Sequence, residues 1–165
     1  MWPLILSSMT FELSKDWALI KAIVTDPKVY AHVSDDFSPE PSRWEPIKHV
    51  QVSYVLAKEN DEIFGLFALI PENTICWKAH PCLLPKAFGD KSREITSGFI
   101  EWLWKHTPCM RLIAEVPKEN QIVKRYALDC GMVEFGVNEA SLMKGGKLHD
   151  QVLYGISKPK ELQWA

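Results

Sequence analysis

A chain of 165 residues, 47% of them hydrophobic, can bury a core without disulfides or a metal, and it is most simply one domain over 1–165, with 1–8 and 159–165 as terminal extensions. Its formal charge of -2 argues against the clustered Lys and Arg that nucleic acid or an anionic membrane demands, so neither is expected as a partner and any basic site is local. Cys76, Cys82, Cys109 and Cys130 form no CxxC pair and lie in apolar surroundings, which reads as reduced buried thiols rather than a disulfide or zinc framework. The WPLIL run near Met1 lacks a basic flank and is too short for a signal peptide or a membrane span, so a soluble cytoplasmic protein is expected.

Met9 to Leu13 reads as a short strand, and Ser14 as the cap of a helix through Thr25 that turns Trp17, Ile20 and Val24 inward. Asp26 before Pro27 predicts a second helix through about Val33, because a carboxylate cap and a proline at the first helical position both suit a helix start. The following DDFSPEPSRWEP is too rich in proline and charge to be regular and reads as a surface loop. Val50 to Ala57 alternates, with Val50, Val52, Tyr54 and Leu56 on one face. KENDE makes a hairpin turn, and Ile63 to Ile70 is an apolar run of strand length. Pro71 to Asn73 turns the chain into a strand over Thr74 to Leu84, the third antiparallel strand in succession.

The next stretch sets the architecture. After a loop at Pro85 to Asp90, Ile95, Phe99, Trp102 and Leu103 recur with helical spacing in a helix over Ser92 to His106. Met110 to Val116 is a strand, and Asn120 caps a second helix that buries Ile122, Val123, Tyr126, Ala127 and Cys130 and ends at Gly131. Strand, helix, strand implies that the Thr74 and Met110 strands are parallel neighbours. Val133 to Lys144, a Gly145–Gly146 turn and a strand over Asp150 to Ile156 close the chain. The expected fold class is α/β (α+β), a mixed, mainly antiparallel sheet with helices on both faces.

This element order and the succession WKAHPCLLP…CMRLIAEVPKEN…CGM resemble the GNAT superfamily of acetyl-CoA-dependent N-acyltransferases, over essentially Met9 to Lys158. The likeness is nearest to small GNAT-like proteins of tailed bacteriophages, through His80, Leu84 with Pro85, Trp102, Asn120 and the string GKLHDQVLYGI from Gly146 to Ile156. Some of those are encoded among head-assembly genes of short-tailed phages. The resemblance therefore implies two expectations: an N-acetyltransferase in a host cytoplasm, using acetyl-CoA as cosubstrate with an amine acceptor left unidentified, or a catalytically silent scaffold serving head or virion assembly.

The same resemblance implies where a site would lie. The parallel strands splay at one end, so that amides of Cys82, Leu83 and Leu84 are free for pantetheine, and the pyrophosphate sits on backbone amides around Phe88 to Glu94. That marks Lys86, Phe88, Gly89, Lys91, Ser92 and Arg93 as cofactor loop and Asn120 as the opening of the next helix. The family loop Q/RxxGxG/A is met here by Gly89 alone, so Lys86, Lys91 and Arg93 are either mobile charges for phosphate or an ordinary solvated loop. The family's acid tyrosine falls at Ala127. Tyr126 stands one step before it, rotated by about 100° around the helix, and reads more readily as a core aromatic. His80 is either the proton carrier at the splay or a histidine fixing the Pro81 turn. His149 and Asp150 either close the last hairpin or face the cleft. Trp104, about 200° around the helix from Trp102, is expected to face outward; with it the apolar Trp2, Leu4, Ile5, Leu6 and Trp164 either form a partner or self-association surface or belong to termini that fold back and cover the body.

Overall fold

In the computed structural model, which describes residues 8–163, one seven-stranded sheet runs in the order β1-β2-β3-β4-β5-β7-β6. The strands are β1 (Met9–Leu13), β2 (Ser53–Glu59), β3 (Glu62–Pro71), β4 (Cys76–Leu83), β5 (Arg111–Pro117), β6 (Val133–Lys144) and β7 (Lys147–Ser157). The helices are α1 (Trp17–Val24), α2 (Pro27–Val33), α3 (Asp90–His106) and α4 (Gln121–Asp129). Every neighbouring pair is antiparallel except β4 and β5.

Alternation along the central strands explains the layers. Val55, Phe67, Leu69, Ala79, Leu83 and Leu112 pack on one face with Ile95, Phe99 and Leu103 of α3 and Ala127 of α4. Tyr54, Leu56, Leu66 and Cys82 pack on the other with Ile20 and Val24 of α1 and Val29 and Tyr30 of α2. A sheet clad on both faces can bury successive positions of a central strand, which is why Tyr54 to Ala57 form an unbroken buried run rather than an alternating one. Val50, expected to share one strand face with Val52, Tyr54 and Leu56, precedes β2 and is 93% exposed.

Local chemistry sets most boundaries. Asp26 accepts from the Lys28 amide with Pro27 at the helix start, as expected. The cap of α1 is Asp16, whose carboxylate accepts from Leu19 N, while the expected cap, Ser14, lies two residues earlier and its hydroxyl accepts from the Asp16 amide. Asn120 caps α4 through Val123 N. The β6–β7 turn uses Gly145 and Gly146 at φ +63° and +73°, a left-handed pair that suits a tight hairpin, and β7 begins at once, earlier than Asp150.

Two burial expectations are overturned. Ile122 is 84% exposed, because α4 turns Val123 and Ala127 to the sheet and places its neighbour about 100° away. Trp104 is 7% exposed and belongs to the core. The helix presents its Ile95–Phe99–Leu103 row squarely to the sheet, so Trp102 and Trp104 fall on its two shoulders, and both shoulders are covered. Trp102 is half-buried against Phe11 and Phe99. Trp104 thus offers no docking surface, and the other apolar groups assigned to one, Trp2, Leu4, Ile5, Leu6 and Trp164, lie outside the described residues.

Candidate functional site

The parallel pair β4–β5 is the feature around which a site can form. It holds for three rungs, Cys76 with Arg111, Trp77 with Leu112 and Lys78 with Ile113, and then opens. Beyond that point β4 stays paired to β3 as far as Leu83, and β5 to β7 as far as Pro117, so their facing edges are parted within an otherwise continuous sheet. Unpaired strand amides and carbonyls on such edges are an obligatory hydrogen-bonding resource for an extended ligand.

The residues at the mouth follow from parity. Ala79 and Leu83 join the α3 layer, so Lys78, His80 and Cys82 face the α1–α2 layer; Leu112 and Val116 likewise put Ile113 and Glu115 there. Since Lys78 is level with Ile113, His80 and Glu115 each stand two residues past the last rung, on the same face and on opposite lips. His80 is exposed, and among the described residues no hydrogen bond holds its ring. The surrounding protein lowers its pKa below the ordinary histidine value, Lys78 adds to this, and Glu115 opposes it. Glu115 itself accepts from Lys78 at 2.8 Å. It reads in the sequence as an ordinary strand charge; only the register with β4 brings it opposite His80.

Cys82 is buried toward α1 and α2, where desolvation pushes its thiol up to about 12. Leu83 is buried in the α3 layer, and the Leu84 amide is spent on Phe64 O at 2.8 Å. The chain then makes a short turn over Pro85–Ala87 and reaches Gly89, the residue before α3, at φ +85° with no atom within 4 Å of the position a Cβ would take. No side chain caps this helix, so the loop presents an open backbone at a helix N-terminus, the arrangement that favours an anion. It starts at Asp90 rather than Ser92, whose hydroxyl donates to Gly89 O.

The loop's side chains tell differently. Lys86 pairs with Glu62 at 3.0 Å, Lys91 with Glu59 at 2.7 Å and Glu94 at 3.4 Å, and Arg93 with Asp90 and with Asp129 at 2.8 Å. Each cation is thus already partnered, and carboxylates outnumber cations around the helix end. Phe88 is half-exposed beside them. The backbone leaves room for an anion, whereas the side chains would have to exchange partners to meet one.

The Tyr126 hydroxyl is already engaged. It bonds Thr96 Oγ1, tying α4 to α3, and burial raises its pKa well above the ordinary value. His149 closes the last hairpin: Nδ1 lies 3.0 Å from Glu119 and Nε2 3.0 Å from the Lys144 carbonyl. Asp150 accepts from the Ala140 amide, and Asp36, after α2, accepts from the amides of Gly145 and Gly146. The hairpin tip is thereby anchored over the α2 end of the α1–α2 layer. Among the described residues no group of three or more His, Cys, Asp or Glu could hold a metal, and no helix is long and apolar enough to cross a membrane.

No family model matches the chain, and no curated protein sequence does. Solved structures do match. Spermidine N-acetyltransferase from Vibrio cholerae in complex with CoA and spermine superposes with a TM-score of 0.76 at 16% identity, over 94% of this chain and 99% of that one. Ribosomal-protein-S5-alanine acetyltransferase from Vibrio fischeri gives 0.71 at 16% identity, over 93% and 94%. The chain has the GNAT fold: a mixed, mainly antiparallel sheet with one splayed parallel pair and helices on both faces.

Proposed function

We propose that this protein is an N-acyltransferase that moves an acyl group from acetyl-CoA, or a related acyl-CoA, to a primary amine, with His80 as proton acceptor. The observation that carries the reading is the opening of β4 from β5 beyond Lys78 and Ile113, with His80 and Glu115 on its two lips. His80, kept neutral by its lowered basicity, takes a proton from the acceptor's ammonium group. The nitrogen lone pair so released attacks the thioester carbonyl; the carbon–nitrogen bond forms, the carbon–sulfur bond breaks, and the sulfur leaves as a thiol with the nitrogen's second proton. His80 then returns its proton to water. Unpaired amides of the parted strands are suited to pantetheine, and the uncapped start of α3 to the pyrophosphate. That the structurally similar spermidine N-acetyltransferase is described with CoA and spermine supports both an acyl-CoA and an amine acceptor.

A second reading is favoured by one observation, the complete ion-pairing of Lys86, Lys91 and Arg93: a silent GNAT scaffold, which the likeness of Gly146 to Ile156 to phage proteins would place in head assembly. Calorimetric titration with acetyl-CoA, followed by thiol release in the presence of a small primary amine, separates the two. For the enzyme, His80→Ala lowers turnover with CoA affinity nearly intact. A folded protein that binds no acetyl-CoA refutes the enzyme and leaves the scaffold.

A further inference from the structure

Lys78, Glu72 and Glu115 form a cluster that the reaction above does not use. The Lys78 ammonium lies 2.8 Å from Glu115 and 3.3 Å from Glu72, so two carboxylates from different elements, the turn after β3 and the middle of β5, converge on one nitrogen. Lys78 and Glu115 are only 22% and 21% exposed at their side chains, which sets this pair apart from rim contacts such as Lys86–Glu62 at 42% and 57%. Glu115, foremost, holds Lys78 in its charged form. The cluster sits at the last paired rung of β4 and β5, on the face and beside the lips that carry His80.

We propose that Glu72 and Glu115 are the seat for the acceptor's ammonium group, a protonated primary alkylamine, and that in the free protein the chain's own Lys78 fills it. This rests on the acyl-transfer reading for its purpose, though not for its measurement. An alkylammonium has the charge and the hydrogen-bonding head of a lysine side chain, so a seat that satisfies Lys78 at these distances satisfies the acceptor's head group in the same way. From Glu115 the bound nitrogen has His80 across the opening to receive its proton. Lys78 acts as a specificity device: it is a competitor tethered at the seat, and an acceptor has to displace it.

The test needs no acyl-CoA. n-Propylammonium chloride is titrated into wild type and Lys78→Met at pH 8, where amine and carboxylates are charged, with the glutamate carboxylate and His80 ring resonances followed by NMR. Removing the internal competitor should tighten binding about fivefold, the measure of one partly exposed ion pair, and Lys78→Met with Glu115→Gln should lose that gain. Equal affinity in wild type and Lys78→Met, or full binding by the double variant, overturns the proposal. Should Lys78→Met fail to fold, Lys78→Gln, which keeps hydrogen-bonding capacity without the charge, carries the same comparison. Amine binding of this pattern without thiol release refutes transfer and leaves the seat; turnover with binding indifferent to Lys78 and Glu115 refutes the seat and leaves transfer.

Discussion

The loop before α3 gives the sharpest quantitative test of whether this chain binds acyl-CoA. Gly89 and the uncapped helix start supply backbone donors, while Lys86 and Lys91 are drawn to Glu62 and Glu59 from the β2–β3 turn. Phosphates can engage these lysines only by displacing those carboxylates, which then stay nearby and repel the ligand. We therefore expect weak binding of CoA to the wild type, in the high micromolar range, on the order of -5 kcal/mol. Glu59→Gln with Glu62→Gln removes the competing carboxylates and touches neither the backbone nor the lysines. Each freed lysine should contribute about a two- to threefold gain, less for Lys91, which keeps Glu94, so the double variant should bind roughly fivefold tighter. Calorimetry at low salt reads this directly, and the gain should shrink as added salt screens the phosphates. Unchanged or weaker binding by the variant, with its thermal midpoint preserved, would refute the claim that internal ion pairs limit this site. Sub-micromolar binding by the wild type would refute it equally.

The burial of Trp104 predicts that Trp104→Ala destabilises the fold by about 3–5 kcal/mol, as for other core tryptophans, and a loss below about 1 kcal/mol in urea unfolding would contradict its placement. His149 has a pKa raised by the Lys144 carbonyl and by Glu119, so its anchoring of the hairpin is complete below the ordinary histidine value and fades as pH rises through the elevated one. NMR should show the Gly145 and Gly146 amides loosening over that rise, and a histidine titrating below 6.5 would reverse the sign. Thr96→Val strips the Tyr126 hydroxyl of its partner and should cost about 1–3 kcal/mol, whereas Tyr126→Phe should leave turnover nearly unchanged; a large fall in kcat would restore Tyr126 as an acid.

What the sequence could show divides along a physical line. Features set by a few adjacent residues were legible: Asp26 before Pro27, Asn120 at the start of α4, the Gly145–Gly146 turn, and the strand, helix, strand rhythm that makes β4 and β5 parallel neighbours. Features set by which shoulder of a helix meets a neighbour were not. Trp104 was misjudged because α3 buries more than the single row that its spacing marks. The candidate site depends on partners remote in the chain. Lys86 and Lys91 meet glutamates of a turn some two dozen or more residues earlier, and Glu115 meets Lys78 through a register that no local pattern encodes.

These ion pairs give the two halves of the site a common logic. On the proposed reading, Lys78 at one end occupies the place of an acceptor ammonium between Glu72 and Glu115, and at the other Glu59 and Glu62 hold the lysines, Lys91 and Lys86, that phosphate oxygens would draw. In each place the chain supplies an internal group with the charge of an external ligand, so affinity is the difference between two similar ion pairs and is small even where both are well made. Deleting the internal competitor should strengthen binding, and deleting the group that receives the ligand should weaken it. That opposition distinguishes a site held closed by its own charges from one whose residues have simply drifted, where neither deletion would change affinity. Lys78→Met and Glu59→Gln act on opposite ends and opposite charges. If both raise affinity for their respective ligands, the splay is a working site under self-competition; if neither does, the ion pairs belong to the scaffold alone.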